Sequence, residues 1–202
     1  MTSPLQPPVL PSAVAAVRTY LQIPSQPEWI APTVEYLKEN AILCGVCHPA
    51  RAKKLMLALH EALTNSVIHG NLELSSALKE QSESAFAEAL AQRAADPHYG
   101  NRAVDVQVAY DHDRCQWILT DQGKGFDVEC VLARACSIDE KGRMPASGRG
   151  ILLMRAFLDE VRYDLGGRRA ILTLLAGPSG EEKQRSRQGR TIPQYHQPSR
   201  DR

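Results

Sequence analysis

The stretch His60-Glu61-Ala62-Leu63-Thr64-Asn65-Ser66-Val67-Ile68-His69-Gly70-Asn71 decides how the chain is read. Leu55, Leu59, Leu63 and Val67 recur at every fourth position through it. That spacing predicts a helix from Arg51 to about Leu74, with one apolar face turned to a core. Glu61 and Asn65 share the same spacing, so both leave the helix on one face. A carboxylate can take the proton of a hydroxyl nucleophile, and an amide oxygen can ligate Mg²⁺. Phosphoryl transfer needs both functions, a metal bridging phosphates and a group that orients the nucleophile. Alone, the pair reads more simply as solvated polar side chains. His60 and His69 read as packing or helix-end residues rather than metal ligands.

Two later segments give the pair a context. Asp121-Gln122-Gly123-Lys124-Gly125-Phe126 follows directly on a predicted strand. An aspartate at a strand end can accept a hydrogen bond from the exocyclic amine of adenine. Gly123 and Gly125 let the backbone turn sharply beside a ligand. The simpler reading is an ordinary Asp/Gly turn. Lys124 could meet a phosphate or face solvent. Ser147-Gly148-Arg149-Gly150-Ile151-Leu152-Leu153-Met154 places glycines at the mouth of a helix, whose free N–H groups suit phosphate. Arg149 could add a charge-assisted contact. Alternatively, the segment is a flexible entry to a core helix. It matches neither the Walker A loop nor the dinucleotide fingerprint.

The surrounding pattern supplies the architecture. Residues 1–17, rich in proline and alanine, read as a loose arm. Residues 18–24 read as a strand closed by Pro24, and a helix carrying Ile30, Val34, Leu37 and Ile42 follows as far as Gly45. Residues 75–97 suggest one extra, mostly exposed helix, with Leu78, Phe86 and Leu90 as sparse anchors. Residues 104–110 and 115–120 read as a hairpin, and 127–147 as a mobile loop with a short helical piece. A helix from Gly148 to about Glu160 leads to a last hairpin turning at Gly166-Gly167. The polar tail 177–202 is expected to be disordered. Helices and hairpins are segregated, so the expected fold is an α+β two-layer sandwich. It has one mixed, mostly antiparallel sheet with helices on one face.

Composition narrows the class. A formal net charge of +1 gives no global case for binding nucleic acid or an acidic membrane. No apolar run approaches the ~20 residues of a membrane span, and the N-terminus makes a poor signal peptide. A cytoplasmic protein is expected. Five cysteines, an odd number, argue against a disulfide framework. Cys44 and Cys47 with His48 form a CxxCH string, which could suggest metal, redox or haem chemistry. Without a second CxxC or an export signal, they read as small residues at a helix end.

The three segments in this order, with about 20 residues between the second and third, resemble the N, G1 and G2 boxes of the Bergerat ATPases (gyrase, histidine kinase and MutL). The resemblance covers roughly Arg18 to Leu175, so residues 18–176 are expected to form a histidine-kinase-like ATPase domain. HEALTNSVIHG and GRGILLMRAFLDEV are most similar to the anti-sigma-factor serine/threonine kinase branch. The resemblance implies ATP and Mg²⁺ as cofactors. It implies Glu61 as general base, Asn65 as the Mg²⁺ ligand and Asp121 as the reader of the adenine amine. Gly123 and Gly125 would pass the nucleotide, residues 127–147 would be the ATP lid, and Gly148, Arg149 and Gly150 would meet the phosphates. In family terms the protein would phosphorylate a protein antagonist, sequester a sigma factor, and possibly form a homodimer. A nucleotide-gated binding module without catalysis is the alternative, because residues 72–101 exceed the short connection expected there. A sensor-kinase catalytic domain acting on histidine is a third reading.

Overall fold

The computed structural model describes residues 16–135 and 148–177. Strands β1 (Val17–Pro24), β2 (Ala103–Tyr110), β3 (Arg114–Thr120), β4 (Glu160–Asp164) and β5 (Arg169–Leu175) form one sheet in the order β1-β2-β3-β5-β4. Period-two alternation dictates what each strand buries. Val104, Val106 and Val108 of β2 and Cys115, Trp117 and Leu119 of β3 point to one face and are almost fully buried. Helices α1 (Ile30–Leu43), α2 (Ala52–Thr64) and α7 (Arg149–Phe157) cover that face. Their apolar stripes supply Leu37, Leu55, Leu59, Leu63 and Met154 to the core. A buried leucine contributes on the order of 1.5–3 kcal/mol, an exposed ion pair about 0–1. This layer, not the surface charges, therefore holds the fold.

The sheet is not mixed. Every strand pair is antiparallel, from Val17 opposite Tyr110 through to Asp164 opposite Arg169. The return through α7 does lay β4 parallel to β3. The final hairpin then inserts β5 between them, so no two parallel strands are neighbours.

The helix expected from Arg51 to Leu74 also changes character. The α-helix ends at Thr64, and Asn65–Asn71 continue as a π-helix, in which the Leu72 N–H donates to the Val67 carbonyl at 3.0 Å. Apolar spacing over so short a run does not separate the two helix types. π-Turns are rare and concentrate at functional sites. Here the wider turn brings Asn65, Ser66, His69 and Gly70 to one side.

Between the π-helix and β2, the single expected helix is three: α3 (Ser76–Gln81), α4 (Glu83–Ala95) and α5 (Pro97–Gly100). Ser82 breaks the run in an extended conformation, and its hydroxyl accepts from Ala85 N at 3.2 Å to start α4. No residue of α4 is buried. Of the expected lid, helix α6 (Val128–Ala135) is described, while 136–147 lie outside the described residues, as do most of the arm and tail. Cys44 caps α1 and Cys47 is buried in the loop beyond it, with burial raising both thiols. Among the described residues no three His, Cys, Asp or Glu side chains cluster as a metal site, and no helix is long and apolar enough to cross a membrane.

Candidate functional site

The π-helix, the end of β3 and the start of α7 enclose an open cleft of about 290 Å³. Glu61, Asn65, Asp121, Gly125, Gly148 and Gly150, each expected at a site from the sequence, all line it. Gly123 lies one layer behind. Arg149 opens α7 and is exposed, outside the cleft lining.

Asp121 sits where β3 leaves the sheet. Its N–H is fixed on the Arg168 carbonyl at 3.0 Å, and its Oδ1 accepts from Gly123 N at 2.9 Å. The residue is 8% exposed. Burial pushes its carboxyl up to about 6, opposed by the Gly123 N–H and by the Arg168 and Arg102 guanidinium groups. The carboxylate lies over Gly70, where an added Cβ would come within 2.5 Å of Asp121 Cγ. A Cβ on Gly123 would lie 2.2 Å from the Gly70 carbonyl oxygen. Both glycines are thus spaces that let the first and second segments touch.

The side of the cleft at the start of α7 is built the same way. Gly148 takes a left-handed conformation, φ 92°, that starts α7. Gly150 faces Glu61 so closely that a Cβ would stand 2.5 Å from Oε2. Gly125, φ 73°, brings its backbone against the Gly166 carbonyl. The cleft is therefore lined by two carboxylates, the buried Asp121 and Glu61, together with glycine backbone.

Sequence reasoning missed four contributors. Asn71 is fully buried; its Nδ2 donates to Ser25 Oγ at 2.7 Å and its Oδ1 accepts from Gln122 N at 2.6 Å. It ties β1 and the π-helix to the loop after Asp121. Its place at the end of the quoted stretch was the one available signal, since no one-dimensional pattern pairs it with Ser25. Tyr163 lines the cleft from β4, its ring edge-on to Phe126. Its hydroxyl is buried without a hydrogen-bond partner, and burial pushes it up to about 12. The neighbouring Asn65 amide opposes that shift without completing a hydrogen bond. Glu73 was missed too: Lys124, expected to meet a phosphate or face solvent, does face solvent, its side chain 81% exposed, while its Nζ lies 2.7 Å from Glu73 Oε2. Arg102 completes that ion pair from the other side, at 2.9 Å.

Asp121 offers the cleft a buried carboxylate that can accept a hydrogen bond from a ligand. At Gly150 the missing Cβ leaves the Glu61 carboxylate its place beside the start of α7. The orphaned Tyr163 hydroxyl also awaits a polar group in the same cleft. The family model of the histidine kinase-like ATPase domain matches residues 23–175, most of the chain.

The chain belongs to that family. Among curated proteins, none matches it. The match begins at the end of β1 and runs through β5, and so takes in β2 to β5 and the cleft. Histidine kinase-like ATPase domains bind ATP, typically with Mg²⁺, and the α+β sandwich with an antiparallel sheet is consistent with this fold.

A pH dependence follows from Asp121. On the reading that Asp121 accepts the adenine amine, the carboxylate is the stronger acceptor and the acid the weaker one. With a carboxyl raised to about 6, adenosine affinity is expected to be flat above pH 7 and to fall below pH 6. The fall approaches tenfold per unit. Adenosine is the ligand to titrate from pH 5 to 8, because it has no phosphate of its own to protonate. A flat profile would show that Asp121 does not read the base as an anion.

Proposed function

We propose that this ATPase domain is a regulatory protein kinase of the anti-sigma-factor type. It transfers the γ-phosphoryl group of ATP to a serine or threonine of a protein antagonist and sequesters a sigma factor, with a homodimer as its working form. The observation that carries the proposal is Glu61. Its carboxylate stands against Gly150 in the cleft that Asp121 also lines. Binding alone would not require a base at that point.

In the proposed step the substrate hydroxyl oxygen bonds to the γ-phosphorus and the bond from phosphorus to the β–γ bridging oxygen breaks. ADP leaves, and the hydroxyl proton passes to Glu61. Asn65 is one turn from Glu61 on the cleft side and would hold Mg²⁺, which neutralises phosphate charge. Asp121 orients the base. Backbone N–H groups at the start of α7, from Gly148 to Gly150, face the phosphates, with Arg149 at the rim. Tyr163 offers its hydroxyl to the nucleotide from β4.

Replacing Glu61 by alanine is expected to lower phosphotransfer about 10²- to 10⁴-fold while ATP binding persists. Phosphorylation of the partner at the wild-type rate would sink the mechanism.

One observation favours a second reading, a nucleotide-gated binding module. Helix α4 has no buried residue, so it presents a surface that the ATPase core does not use. In that case nucleotide changes partner affinity and no phosphate moves. Turnover of ATP coupled to a phosphorylated partner excludes it.

A further inference from the structure

We propose that the root of the 72–101 insertion, Glu73 to Ser76, is a wall of the nucleotide site, held across the cleft by Glu73 and governing how fast nucleotide leaves. This rests on the nucleotide-binding reading of the cleft. Leu74, Ser75 and Ser76 line the cleft beside His69 and Asp121. Their placement is fixed from both sides. The Leu74 carbonyl accepts from His69 Nδ1 at 2.5 Å, which requires the proton on Nδ1, and the Leu74 N–H donates to the Ile68 carbonyl at 3.0 Å.

Glu73 is the fastener. Among the described residues it is one of two non-glycine residues with positive φ, 52°, a backbone conformation that persists only where the surroundings enforce it. The surroundings are two cations. Arg102 reaches Glu73 Oε1 at 2.9 Å and donates to the Asn71 carbonyl at 2.8 Å, so it closes the insertion's two ends on each other. Lys124 reaches Oε2 from the loop that follows Asp121. The Glu73 side chain is 11% exposed and the pairs hold its carboxyl below the ordinary range. The Arg102 contact is part-buried; the Lys124 contact, with the lysine 81% exposed, is the one that can open. Opening it separates the insertion wall from the base-reading loop without unfolding either.

Lys124 is therefore a positioning residue for the nucleotide. The test is stopped-flow release of a ribose-labelled fluorescent ADP from the full chain, chased with unlabelled ATP, for wild type, Lys124→Glu and Lys124→Arg. Lys124→Glu sets two carboxylates against each other and is expected to speed release about two- to fivefold or more, with Lys124→Arg at the wild-type rate. Raising salt from about 0.05 to 0.5 M should speed wild-type release toward that of Lys124→Glu, since the contact is screened. The nucleotide-free melting temperature of Lys124→Glu should fall only slightly, as loss of one exposed ion pair allows, with Lys124→Arg at the wild-type value; a lowered melting temperature beside an unchanged release rate would mark a merely structural role. Equal release rates in all three proteins, at both salt concentrations, would overturn the wall and leave the nucleotide site standing. A folded wild type that does not bind the labelled ADP would overturn both.

Discussion

Asp121→Asn is expected to make the nucleotide-free protein more stable and to remove adenine binding. The two effects have one cause. The folded-state carboxyl is raised to about 6 by burial. A group raised above its unfolded value favours the fold below the unfolded pKa of about 4, and that favour is lost as pH rises through about 6. At pH 7 the buried anion therefore costs the fold on the order of 1–3 kcal/mol. Asparagine carries no charge and keeps an oxygen for the Gly123 N–H, which Asp121 accepts at 2.9 Å. The expected rise in melting temperature is roughly 3–8 °C at pH 7 and fades below about pH 4. Binding moves the other way. With the amide oxygen on Gly123, its NH₂ faces the adenine NH₂, donor against donor. The site loses about 2–3 kcal/mol, some 50- to 100-fold in affinity. Inosine triphosphate, with a carbonyl in place of that amine, should lose much less. Differential scanning calorimetry and ligand titration on one preparation check both signs. Lower stability with unchanged ATP affinity would refute the assignment of Asp121.

Gly150→Ala should separate binding from chemistry. The new methyl group would lie 2.5 Å from Glu61 Oε2, so the carboxylate must swing away from the cleft. The helix itself gains, because alanine is about 1 kcal/mol better than glycine inside one. On the proposed mechanism the variant melts no lower than wild type and keeps most of its nucleotide affinity. Phosphotransfer falls about 10²-fold or more, as for loss of a positioned base. Single-turnover transfer of labelled phosphate from ATP to the partner measures it. A full rate in a folded Gly150→Ala protein would mean that the orientation of Glu61 is irrelevant, and with it the reading of Glu61 as base.

The fold was largely legible because its signals are local. Alternation in 104–110 and 115–120, a fourfold stripe through Leu55 to Val67 and a Gly-Gly turn each follow from a few neighbouring residues. The order of strands is not local. Nothing in residues 160–175 says that β5 slides between β3 and β4, and that insertion makes the sheet antiparallel throughout. The π-helix was invisible for a related reason: it sits where Gly70 meets Asp121 and Asn71 meets Gln122, contacts that no local pattern contains. At the candidate site, the residues with chemistry to offer stood out by type and spacing. The residues that hold them did not. Asn71 pairs with Ser25, Glu73 with Lys124 and Arg102, and Tyr163 enters from the far edge of the sheet. Each is separated in sequence from what it serves, and an insertion lies between several of them.

The central claim is that one cleft between the π-helix and α7 binds a purine nucleotide with its base on Asp121 and its phosphates toward Asn65 and Gly150. Isothermal calorimetry of the full chain with ATP and ADP, each with and without Mg²⁺, tests it most directly. The account predicts saturable binding of both nucleotides at one site per chain, and a gain on adding Mg²⁺ that Asn65→Ala abolishes. A folded protein that takes up neither nucleotide, or one whose Mg²⁺ dependence survives the loss of Asn65, would contradict it.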